Sequence, residues 1–111
     1  MPANRINTED ELTVAIINNE GTTVYEYEGT GFHNVEHAIA AAFSAFRKVE
    51  MRLPEGYDTS LEEEPSFHHY YRNPAAPDNE IEDYVFKIYN DTQGTASSYR
   101  VNAGGHAKLI V

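Results

Sequence analysis

His33-Asn34-Val35-Glu36-His37 is the one catalytic-looking motif in the chain, a formal H-x-x-E-H. Two imidazoles four positions apart stand one above the other on a helix and can share a zinc ion. A carboxylate between them can act as general base on a zinc-bound water, the arrangement of the inverted zinc-peptidase motif. His33 and His37 are thus candidate ligands, and Glu36 is the candidate base. Phe67-His68-His69-Tyr70-Tyr71-Arg72 is a second group, with rings able to stack on a partner and a guanidinium able to reach a carboxylate or phosphate. The third group is acidic: Glu62-Glu63-Glu64, then Asp78, Glu80, Glu82 and Asp83.

The run from Gly31 to Ala38 resembles the zinc helix of S-ribosylhomocysteine lyases. In that family an apolar residue precedes the first His, and an Ala/Phe-rich helix follows the motif. The resemblance covers about one helix and implies His33 and His37 as zinc ligands. That family completes its site with a Cys, and this chain has none. A third ligand would have to come from the acids of 58–64 or 78–83, or from His68, His69 or His106. The inverted peptidases draw a Glu from a second helix, whereas only one helix is evident here.

Charge favours a different reading. The formal net charge is −10, and residues 50–83 alone carry ten carboxylates against Arg52 and Arg72. Residues 84–111 are net basic, with Lys87, Arg100 and Lys108 against Asp91. An acidic field repels phosphate backbones and anionic membranes, so neither direct nucleic-acid binding nor membrane association is expected. The natural complement is a basic protein. Carboxylates spaced like phosphates would imitate a nucleic-acid backbone and occupy a basic groove, with fast, charge-steered association. The acidic runs lack the D-x-D-x-D-G pattern of a calcium loop. Without Cys there is no disulfide or thiolate chemistry, which suits a reducing compartment. No run approaches a membrane span, and the chain reads as soluble and cytoplasmic.

The elements that must position these groups follow from periodicity. Val35, Ile39, Ala42, Phe46, Val49 and Leu53 recur at steps of three and four, with Phe43 widening the stripe, which predicts one amphipathic helix within 32–53. Asn34 is the best N-cap, and Pro54 with Gly56 ends the helix. Ala38, Ala41, Ser44 and Ala45 form a second flank small enough for close approach. Period-two runs predict strands at 12–18, 22–28, 84–90, 95–103 and 106–111. Asn18 to Gly21 and Gly104-Gly105 are turn signals.

Residues 1–10 read as a loose arm. Residues 54–83 read as a long acidic loop holding four of the five prolines, its aromatic patch docked on the body or exposed for binding. A chain of 111 residues is one domain with its own core. The expected fold is α+β, a two-layer sandwich of one long helix on a mostly antiparallel sheet of about five strands, in the order β-β-α-loop-β-β-β. Several strands are apolar on both faces, so the long loop or a homodimer partner is expected over the second face.

The function expected from the sequence is that of a small acidic interaction protein without catalysis. Its most specific form is an inhibitor of a nucleic-acid-handling protein, of the kind phages and mobile elements carry against host defence. Partner contacts would be Glu62, Glu63, Glu64, Tyr70, Tyr71, Arg72, Asp78, Glu80, Glu82 and Asp83, with no cofactor. One alternative is a zinc hydrolase or lyase built on residues 33–37. Another is a small-ligand-binding module lined by Tyr70, Tyr71 and Arg72.

Overall fold

A computed structural model describes residues 6–49, 80–102 and 106–110. The elements are β1 (Leu12–Ile17), β2 (Thr23–Gly29), α1 (Val35–Val49), a short 3-10 turn (Glu80–Asp83), β3 (Val85–Asn90), β4 (Thr95–Val101) and β5 (Ala107–Ile110). The five strands form one antiparallel sheet in the order β2-β1-β3-β4-β5. This is the expected α+β arrangement, with the predicted strand boundaries displaced by one or two residues.

Alternation decides which face of each strand is buried. Leu12, Val14 and Ile16 on β1 stand opposite Asn90, Ile88 and Phe86 on β3, and opposite Gly29, Tyr27 and Tyr25 on β2. Tyr99 and Val101 continue that face on β4. The helix packs here: Phe43 meets Phe86 edge-on at 6.0 Å, and Phe46 lies 5.7 Å from Tyr25. Such offset and edge-on contacts suit the ring quadrupoles. Val35, Ile39, Ala42, Phe43 and Phe46 of the predicted stripe are buried. The small flank is buried as well, at Ala38, Ala41 and Ser44. Arg47 near the helix end is also buried, with its guanidinium 6.0 Å from the Phe43 ring centre.

Two stretches depart from the expected loops. Residues 6–10 are anchored: Ile6 packs on the core, and the Thr8 carbonyl accepts the Gly31 N–H at 2.8 Å. The buried Asp10 carboxylate accepts hydrogen bonds from the Asn7 backbone, Asn90 Nδ2 and Gln93 Nε2. These donors, Asn90 foremost, hold its pKa below the usual carboxylate value despite the opposing effect of burial. The end of the long acidic loop forms the 3-10 turn because Ile81 drops fully into the core.

Candidate functional site

The helix starts where Asn34 can cap it. Asn34 Oδ1 accepts the His37 N–H at 2.8 Å, and the Asn34 carbonyl accepts the Ala38 N–H at 3.2 Å. His33 therefore lies outside the helix, one residue before the cap, rather than one helical turn below His37. The two rings nevertheless stack, with centroids 5.4 Å apart and planes 14° from parallel. Gly31 makes the approach possible, since its φ of 84° turns the chain between β2 and the cap.

The His33 N–H donates to His37 Nδ1 at 3.2 Å. The His37 ring also meets Phe32 edge-on at 5.5 Å. Burial, and then the charge of His33, push the His37 pKa down, so its neutral form is favoured. A neutral imidazole has one N–H and one lone pair. Because Nδ1 accepts a backbone N–H, the proton sits on Nε2, and neither nitrogen offers a lone pair to a metal in this geometry. His37 Nδ1 is thus turned to the chain before the cap instead of being free beside the His33 ring.

Glu36 points away from the histidines. Its Oε2 accepts the Ala107 backbone N–H at 3.0 Å, joining the first helical turn to the edge strand β5. It lies close enough to Tyr99 for its charge to add to the burial that raises the phenol pKa, while a Ser97 hydrogen bond opposes that rise. A hydrogen bond to β5 orients this carboxylate as a tie between layers.

Most of the other predicted site residues, Glu62 to Glu64, Tyr70 to Arg72 and Asp78, lie outside the described residues. Glu80, described by its backbone, opens the 3-10 turn; Glu82 is half-buried and Asp83 exposed. The Glu82 carbonyl accepts a hydrogen bond from Arg100 at 3.3 Å. Among the described residues, no three His, Asp or Glu side chains gather as metal ligands would.

Three carboxylates that sequence reading did not single out border one depression. Glu11, Glu28 and Asp91 line an open depression of about 320 Å³ together with Leu12, Thr13, Gly29 and Thr30. Its carboxylates come from the start of β1, the end of β2 and the loop after β3. Antiparallel pairing brings these to one end of the sheet, with Thr13 opposite both Glu28 and Tyr89. Thr13 Oγ1 donates to Asp91 Oδ2 at 3.0 Å, and Thr92 Oγ1 accepts the Glu11 N–H at 2.9 Å. The separation of Glu11 from Asp91 in sequence hides this cluster, and only the β1–β3 register reveals it.

The fold and this site define the class, a small α+β domain with an acidic depression at one end of its sheet. The chain matches no protein family, and no curated protein and no solved structure matches it. No described helix is long and apolar enough to cross a membrane.

Proposed function

We propose that this protein is an acidic, non-catalytic binding protein that engages a basic, nucleic-acid-handling partner, as an inhibitor of the phage or mobile-element kind would. The observation that carries the reading is the charge layout. Residues 50–83 hold ten carboxylates against two bases, and three further carboxylates line the depression at the sheet end. Carboxylates in such excess over bases suit the lysine and arginine side chains of a groove that otherwise holds phosphates. The H-x-x-E-H groups support the same reading, since their polar atoms serve the helix cap and the β5 tie.

The test is competition. Immobilised protein is exposed to a nuclease-treated lysate at low salt, and captured proteins are challenged with duplex DNA. The reading expects a basic protein that DNA displaces. Against that purified protein, Gln at Glu62, Glu63 and Glu64 should slow association and flatten its salt dependence. An unchanged on-rate would sink the assignment of that surface. Capture that DNA cannot displace would sink the nucleic-acid-mimic reading itself.

A further inference from the structure

β5 ends the sheet, and among the described residues it pairs only with β4. Such an edge offers a row of backbone groups to any other strand, and native chains blunt it. The opposite edge blunts itself: β2 carries Glu26 and Glu28, and its register with β1 is irregular between Ile16 and Ile17. β5 has one charge of its own, Lys108, and its Leu109 is 42% exposed. Its protection comes from another element.

The hydrogen-bond pattern shows which groups face outward. The Asn102 N–H donates to the His106 carbonyl at 3.1 Å, so these two form a hydrogen-bonded pair. Antiparallel ladders alternate, and the next such pair is Arg100 with Lys108. Ala107 and Leu109 therefore turn their N–H and C=O groups away from β4, to the open edge. Glu36 Oε2 sits 3.0 Å from the Ala107 nitrogen, where the carbonyl oxygen of a neighbouring strand would stand. The carboxylate arrives from the first turn of α1, on the sheet face that Leu109 shares with the buried Tyr99 opposite it.

We propose that Glu36 guards this edge, keeping a second copy of the chain from adding its own β5 to the sheet. The strand itself sets the occupant. Two β5 edges meeting antiparallel about a two-fold axis place outward-facing residues opposite each other. One register puts Lys108 against its own copy, which like charge disfavours. The register that centres Leu109 on its copy sets Lys108 opposite Ile110, lets the two Leu109 backbones exchange both hydrogen bonds, and covers the exposed leucine. Extending that ladder requires the Ala107 N–H, two residues along, and the space in front of it. Glu36 holds both. This role is separate from the partner reading above and does not depend on it.

The test is sedimentation velocity from roughly 10 μM to roughly 1 mM, a range spanning weak self-association. Glu36→Ala should move from monomer toward dimer, associating about tenfold more tightly than the wild type. Its Leu109 amide should gain protection from exchange as concentration rises. Adding Leu109→Pro should restore wild-type sedimentation, since proline there removes an outward donor and no bond to β4. Gly31→Ala weakens the fold at a different point and should sediment as the wild type does. Glu36→Asp keeps the charge in the first helical turn but is one methylene shorter, and it should associate as Glu36→Ala does. It carries the test if circular dichroism shows Glu36→Ala unfolded. A folded Glu36 variant that sediments like the wild type overturns the proposal. So does equal association of Gly31→Ala, which would trace to lost stability alone. Association that survives Leu109→Pro, or that leaves the Leu109 amide unprotected, places the contact elsewhere and overturns it too.

Discussion

Removing Glu36 distinguishes a carboxylate that holds two layers together from one reserved for chemistry. In Glu36→Ala the Ala107 N–H loses its acceptor, and the first helical turn loses its negative charge. A hydrogen bond to a charged group contributes roughly 1.5–3 kcal/mol; the contact is only partly buried, and solvent screening brings it to the low end of that range. The dipole contribution adds about 0.5 kcal/mol. The predicted loss is therefore about 2 kcal/mol. For a domain of 111 residues, that lowers Tm by about 8 °C. Glu36→Gln keeps an acceptor oxygen and should lose about half as much.

Urea unfolding measures the energy, and amide exchange locates it. The Ala107 amide should exchange faster in the Ala variant, while amides in the middle of β1 follow only the global change. Glu36 is also one cause of the raised Tyr99 pKa, so its removal should lower the titration midpoint of that phenol. If Glu36→Ala matches the wild type in stability and Ala107 keeps its protection, the carboxylate is not a structural tie, and the argument against a catalytic Glu36 fails with it.

Three further predictions concern the surrounding fold. His37 is held neutral by burial, with its pKa depressed, so its contribution to stability should be complete above its unfolded value of about 6.5 and decline as pH falls through the folded value. His37→Gln should flatten a urea-midpoint profile in that window and leave untouched the separate loss at lower pH, where Asp10 takes up its proton. Gly31→Ala places a Cβ in open space but at φ 84°, so it should cost about 1–2 kcal/mol through backbone conformation alone, seen as a lower urea midpoint with an unchanged slope. Phe43 is 1% exposed and touches Phe46, Tyr84 and Phe86. Phe43→Ala should cost about 3–5 kcal/mol, a large part of a typical domain's stability, and equal stability in calorimetry would refute its central place in the core.

Local pattern was enough for the elements and for the helix cap. Period-two runs marked all five strands, the stripe from Val35 to Phe46 marked the helix, and Asn34 identified its start. These features depend on interactions within a few residues, which one sequence displays directly. The H-x-x-E-H motif shows the limit of such reading. Residue types and spacing suggested shared ligation on a helix, but the cap at Asn34 left His33 outside it, the His33 N–H occupied Nδ1 of His37, and a strand about seventy residues away, through its Ala107 N–H, took the Glu36 carboxylate.

Sequence by itself determined the charge, the strand and helix segments and the α+β class, because composition and periodicity are properties of short windows. Tertiary structure decided the order β2-β1-β3-β4-β5, the anchoring of residues 6–10 through Asp10, and the placing of Glu11, Glu28 and Asp91 around one depression. Register also decided which face each charge occupies, setting Glu26 and Glu28 at one edge and Arg100 and Lys108 at the other. The physical reason is that long-range pairing is chosen by burial of the whole apolar face at once, and a one-residue slip would send every one of these side chains to the opposite side of the sheet.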